Sequence, residues 1–241
     1  MKRFSVMYTQ VYLATAREFL RDKMSVFIIL VMPLLFAGFF AMVMGKNGNF
    51  LPGTLSIALL WLGIFGTAQP MVTMREQKVL RRFALTPLPP FVLLAGQVSW
   101  RLTVGVVQCV MLFTFSKLAF GVGITGSALL VAAALLLGIL ALVSMGYLIA
   151  GVSPSSESAL ALGQVVNFLM MFLSGALVPV DVLPRALKPV VKALPLTHLT
   201  DALQKLIADA PAVFSLNTNL LVLGGWLIVM TVISVRFFQW E

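Results

Sequence analysis

Six apolar stretches, each about as long as a bilayer is thick, fix what this chain can fold into. A hydrocarbon core of roughly 30 Å takes about 20 apolar residues of helix. Helices also satisfy every backbone group within one segment, which lipid demands. The stretches fall at residues 24–45, 54–73, 98–118, 127–151, 159–178 and 217–238. Of the 241 residues, 60% are hydrophobic and only 10% charged, against roughly 25% charged in soluble domains. The expected fold is an all-α integral membrane protein with six transmembrane helices in one domain, residues 1–241.

The formal net charge is +9, yet the Lys and Arg residues lie between apolar runs rather than in one basic patch. That argues against a nucleic-acid partner and for an orientation signal. With the N-terminus inside, 11 of the 17 cationic residues fall on inner segments and 6 on outer ones. Both termini are therefore expected in the cytoplasm, with a plasma membrane, bacterial and inner, as the location. No small-x-small cleavage site follows a short apolar core, so no cleaved signal is expected. One cysteine (Cys109) and one histidine (His198) give neither a disulfide framework nor metal-ligand spacing. A lone histidine such as His198 is read as capped or solvated.

Ahead of the first span, segment 1–23 carries a two-faced pattern. At about 100° per residue, Phe4, Met7, Tyr8, Val11, Tyr12, Thr15 and Phe19 share one face, and Arg3, Gln10, Arg17 and Arg21 the other. This suits an amphipathic helix over residues 2–21 lying among lipid headgroups and membrane lipids; a solvated arm is the alternative. Asp22 is placed to cap the next helix. Pro33 falls inside the first span, tolerable where a neighbour satisfies the freed carbonyl. A turn at Lys46–Gly53 leads to the second span, and Arg101 is expected to snorkel from the start of the third. Between spans five and six, residues 179–216 hold prolines at 179, 184, 189, 195 and 211. Their apolar pieces are too short to cross, which favours re-entrant or interfacial helices forming a lid on the outer side.

The densest charge sits at 74–90, MREQKVLRRFALTPLPP. As a helix over Arg75–Ala84 it would present Arg75, Glu76, Lys78, Arg81 and Arg82 to the cytoplasm and hold Val79, Leu80 and Phe83 against the spans. Thr86-Pro87 and Pro89-Pro90 would stop it. Such a surface suits docking on a soluble partner through charge-assisted hydrogen bonds; a solvated loop whose charges only fix topology is the alternative. No phosphate-binding Walker sequence occurs, so no ATPase site and no catalytic residue is expected in this chain. No span carries an acid at mid-depth, which argues against a proton relay. On the fifth span Gln164, Asn167, Met171 and Ser174 recur at +3, +4 and +3; Gln69 and Thr73 lie a turn apart on the second. These are either a substrate path or ordinary contacts between helices.

The run REQKVLRRFALTPLPP resembles the signature after the second span in permease subunits of ABC transporters of the type 2 export class, which includes drug, lipid and polysaccharide exporters. The later NFLMMFLSGALVPVDVLPRALKPVVKALPLTHLTDALQKL is similar to that family's fifth span, its exit turn and the proline-threonine start of the next helix. One departure stands out: where members often have Gly-Thr, this chain has Lys78-Val79. The resemblance implies a coupling helix at Arg75–Phe83, with Glu157 in the 151–158 turn as a second contact. It implies two ATP-binding-cassette ATPase subunits and a second permease copy, identical or a close paralogue. ATP and Mg would sit on the ATPase, with no cofactor on this chain. The cargo would be an amphipathic, lipid-like or drug-like molecule, or a glycan. An ion-coupled carrier and a non-transporting scaffold for a cytoplasmic complex are the other two classes open to such a chain.

Overall fold

The computed structural model describes residues 2–44, 50–84, 89–178 and 180–237. Six helices are long and apolar enough to cross a membrane, and no strand occurs among the described residues. The helix α1 is Lys2–Arg21; Asp22 caps α2 (Lys23–Val26), which continues through a π-helical turn at Phe27–Val31 into α3 (Met32–Met44). Next come α4 (Phe50–Ile64), α5 (Ala68–Glu76) and α6 (Val79–Ala84). The later helices are α7 (Pro90–Phe120), α8 (Ala128–Val152), α9 (Ser156–Leu173), α10 (Lys188–Ala193), α11 (Pro195–Ile207) and α12 (Leu216–Phe237).

At the centre stands α4, buried along nearly its whole length and flanked by α3, α7, α8 and α11. Lipid supplies no hydrophobic drive between helices, so close approach depends on small residues. A Cβ on Gly146 of α8 would overlap the Gly63 carbonyl oxygen of α4, and one on Gly63 would overlap the Leu142 backbone. The two glycines are what let these backbones touch.

Proline sets the shape of the first two spans. Pro33 has no N–H for the Ile29 carbonyl, and Pro70 has none for the Gly66 carbonyl. The chain widens into the π turn before Pro33 and breaks into a turn at Phe65–Thr67 before Pro70. So the second span is not the continuous helix that its apolar run suggests. Both freed carbonyls are satisfied by α7: Gln108 Nε2 donates to Ile29 O, and Arg101 Nε donates to Gly66 O at 3.0 Å. Arg101 therefore does not snorkel; it is 5% exposed and also donates to Gln97 O.

Several other boundaries differ from the sequence reading. Pro89-Pro90 do not end a helix but begin one, with extended Pro89 as cap and Pro90 at N1, where a missing N–H costs nothing. The third span consequently starts two turns early. Thr86 and Pro87 lie outside the described residues, as do residues 46–49 of the expected turn, while Phe50–Gly53 are already helical. The fifth helix stops at Leu173 rather than Val178, because Gly175 takes φ +84 just beyond. The C-terminal half of the aromatic face of α1 packs on α7, while Phe4 and Tyr8 stay exposed. Val11 packs on Gly96, Tyr12 and Phe19 meet Trp100 edge-on, and the Tyr12 hydroxyl donates to Thr103 Oγ1 at 3.0 Å, all on α7.

Between α9 and α12, α11 is buried against α4, α8 and α12. His198, expected capped or solvated, is 1% exposed. Its Nε2 faces Lys192 O at 2.9 Å and its Nδ1 faces Asn219 Oδ1 at 2.7 Å. Asn219 Nδ2 donates to Asp201 Oδ2 at 2.8 Å, and the same carboxylate accepts the Val213 and Phe214 N–H groups. A buried polar chain thus pins the 211–214 loop onto α11 and α12.

The proline account predicts a coupling that thermal unfolding in detergent can measure. Gln108→Leu leaves the Ile29 carbonyl bare and should cost about 1–3 kcal/mol. In a Pro33→Ala background, where an N–H returns to that carbonyl, the same substitution should cost less than half as much. Equal costs in both backgrounds would show that Gln108 serves some other purpose.

Candidate functional site

The charged segment is two pieces rather than one helix. Its first part, ending at Glu76, is the tail of α5; Gln77 and Lys78 turn, and α6 follows. Lys78 sits at φ +56, the left-handed region that glycine enters freely and other residues at a cost of roughly 1–2 kcal/mol. The position takes glycine geometry, and this chain meets it with lysine. Leu80 is buried and anchors α6, while Lys78, Arg81 and Arg82 stand exposed. For Phe83 only the backbone, inside α6, falls within the described residues.

Arg75 is half-buried and Glu76 exposed, and both are hydrogen-bonded within the chain. The Arg75 guanidinium donates to Ala150 O at 3.2 Å and to Ser153 O, carbonyls that close α8. Glu76 accepts from Ser156 N at 2.9 Å and from Ser156 Oγ, and Thr73 Oγ1 lies 3.1 Å from the same hydroxyl. A cation at a helix C-terminus and a carboxylate at a helix N-terminus both follow the helix dipole. Ser155 and Ser158 form a capping box that fixes the start of α9. Glu157 is exposed beside them. The end of α5 and the 151–158 turn are thus bonded into one unit that also carries α6.

The remaining sequence candidates divide. Gln69 and Thr73 line a cavity of about 260 Å³ together with Thr15, Glu18, Gln97 and Arg101. On α9, Gln164 is exposed, Met171 half-buried and Asn167 buried with its Oδ1 unpartnered. Ser174 lies past the helix end, buried, its hydroxyl accepting the Ala176 N–H at 3.3 Å. The four thus differ in exposure along one side of the helix and its C-cap. Sequence reading singled out Arg101 but missed Gln97 and Gln108, which stand four residues before and seven after it on the same face of the largely apolar α7. That spacing was available as a signal. At the cavity rim, Asp22 accepts from Ser25 Oγ and from the Ser25 and Met24 N–H groups. The Ser25 hydroxyl, then its N–H, holds the Asp22 carboxyl below the ordinary range.

If the turn at 77–78 is strained as described, Lys78→Gly should keep or raise the melting midpoint of the purified chain. Lys78→Val should lower it by the equivalent of about 1–2 kcal/mol. A valine variant as stable as the glycine one would contradict the left-handed assignment.

Residues 9–208 match the sequence profile of the ABC-2 type transporter family. The chain is 22% identical over 231 residues to YvfS of Bacillus subtilis (strain 168), named there as a candidate transport permease, covering 92% of this chain and 93% of that protein. A shorter match, 35% identical over 74 residues, joins 31% of this chain to 28% of nodulation protein J of Rhizobium meliloti (strain 1021). Membrane-spanning helices throughout, a profile match across most of the length and an end-to-end relative agree: the chain belongs to the ABC-2 type transporter family and is a membrane subunit of a transporter.

Proposed function

We propose that this subunit forms the membrane path of an ATP-driven exporter and takes its energy from separate ATP-binding-cassette subunits. The observation that carries this reading is the bonding of the charged segment to two spans at once. Arg75 grips the carbonyls ending α8, and Glu76 grips the first turn of α9. A force applied to the exposed α6 surface then reaches both helices without passing through a flexible loop. Lys78, Arg81 and Arg82 make the contact with the ATPase, Phe83 supports it, and Glu157 adds a second point on the adjoining turn.

In this scheme ATP and Mg stay on two ATPase subunits, and a second permease copy completes the path. Both termini face the cytoplasm of a bacterial inner membrane, the side that the Lys and Arg distribution favours. Gln69 and Thr73, with Gln164, Asn167, Met171 and Ser174, are the polar groups available to a cargo of amphipathic, lipid-like, drug-like or glycan character. Asn167, whose buried oxygen lacks a partner, is the one among them with an unmet hydrogen bond.

Docking and transmission separate experimentally. Arg81→Glu/Arg82→Glu should weaken co-purification with the cognate ATPase by more than about tenfold, since each charge-assisted bond contributes roughly 1.5–3 kcal/mol. Glu76→Gln should leave that binding intact and lower cargo-stimulated ATP hydrolysis. Unchanged ATPase recovery in the double charge reversal would remove α6 from the interface. For the path, Asn167→Leu or Gln69→Leu should reduce transport in vesicles at constant ATPase binding; full transport by both variants would rule out these faces as the lining.

A further inference from the structure

The buried trio His198, Asn219 and Asp201 is fully bonded only if it holds one proton more than a neutral imidazole and a free carboxylate supply. All three side chains are buried. An amide donates through its nitrogen and accepts through its oxygen, and a carboxylate only accepts. Asn219 Nδ2 donates to Asp201 Oδ2 at 2.8 Å, which leaves Oδ1 facing His198 Nδ1 at 2.7 Å. That ring nitrogen must therefore donate. The other, Nε2, lies 2.9 Å from Lys192 O, a carbonyl that only accepts. Both ring nitrogens carry hydrogen.

Turning the Asn219 amide over does not remove the need. A neutral imidazole would then accept from Nδ2, but Oδ1 would meet Asp201 Oδ2, oxygen against oxygen, unless a proton sat between them. The carboxylate already takes the Val213 N–H at 2.7 Å and the Phe214 N–H at 3.0 Å, so both its oxygens are spent as acceptors. Two further neighbours suit a cation at His198. The Phe214 ring lies 4.8 Å from the imidazole, within the reach at which an aromatic ring steadies positive charge. Lys192 O belongs to the last turn of α10, and the carbonyl end of a helix favours a cation.

The elements packed against this ring bring few other ionisable groups. Helix α4 has none. Tyr147 is the only one on α8, Glu157 in the first turn the only one on α9, and Arg236 in the last turn the only one on α12. On α10 and α11 there remain Lys188, half-buried, and the exposed Lys192 and Lys205, with Asp209 exposed just beyond.

We infer that His198 is an imidazolium tethered to the Asp201 carboxylate through Asn219, and that this proton latches α10 and the 211–214 loop onto α11 and α12. Without it, one of the ring's two acceptors loses its donor. Either Lys192 O on α10 is released, or Asn219 turns and disturbs the Asp201 grip on the loop. An unfolded chain sheds an ordinary imidazole proton above about pH 6.5. The stability that the latch contributes is therefore complete in acid and is lost as pH rises. The latch rests on the fold alone, independent of cargo and of ATP.

His198 is the only histidine in the chain. Isotope labelling of histidine nitrogen in the full-length protein, purified through a histidine-free tag and reconstituted in lipid, thus reports this ring alone. At about pH 7.5, where a free imidazole is only about one-tenth protonated, solid-state NMR should find hydrogen on both ring nitrogens. Asn219→Leu should return the ring to one bare nitrogen at the same pH. Amide exchange gives a second reading: protection of the Val213 and Phe214 N–H groups should fall by at least about tenfold from about pH 6 to about pH 9 in wild type. A bare ring nitrogen in wild type at the lower of these conditions or at about pH 7.5 would overturn the proposal, and so would loop protection that does not change with pH. The wild-type spectrum decides even if the leucine variant does not fold.

Discussion

Two side chains on one face of α7 hold this fold open where proline would otherwise break it. Gln108 and Arg101, seven residues apart, donate to the Ile29 and Gly66 carbonyls that Pro33 and Pro70 leave bare. In a bilayer no water replaces a lost backbone bond, and each unmet carbonyl costs several kcal/mol. The first two spans therefore depend on the third for their bends, and the third cannot shift along them without exposing both carbonyls. That constraint fixes the register of α3, α4 and α7, and through the Gly63–Gly146 contact it fixes α8 as well.

The bend before Pro70 has a consequence for mechanism. It separates α5 from α4, and Arg75 and Glu76 at the end of α5 bond to the ends of α8 and α9. Charges that look solvent-directed in sequence are spent within the chain, as caps on two other helices. The exposed charges here are Glu76, which is bonded to Ser156, and Lys78, Arg81, Arg82 and Glu157. In the proposed scheme, a short, clamped surface would transmit displacement better than a long free helix, because little of the applied force goes into bending a loop.

The opposite side of the bundle is held differently. There α11 is buried by α4, α8 and α12, and Asp201 collects two loop N–H groups and an amide from Asn219. A polar chain of this kind specifies one arrangement, since any other leaves its members unsatisfied. Residues 195–207 were readable as amphipathic and proline-bounded, but not as buried. Their polar residues find partners on a helix roughly twenty positions away, and nothing local in the sequence announces that.

Sequence by itself determined the class, the six helices apolar and long enough to cross a membrane, and the place of the charged segment. Apolar run length and charge exclusion are local properties, and lipid enforces them strictly. Tertiary structure alone decided where the prolines break the spans, which charges act as caps, and that Arg101 lines a cavity. Each of these depends on pairs far apart in the chain, such as Arg75 with Ser153 or Arg101 with Gly66. A hydrogen bond has two ends, and a sequence pattern reveals only one of them.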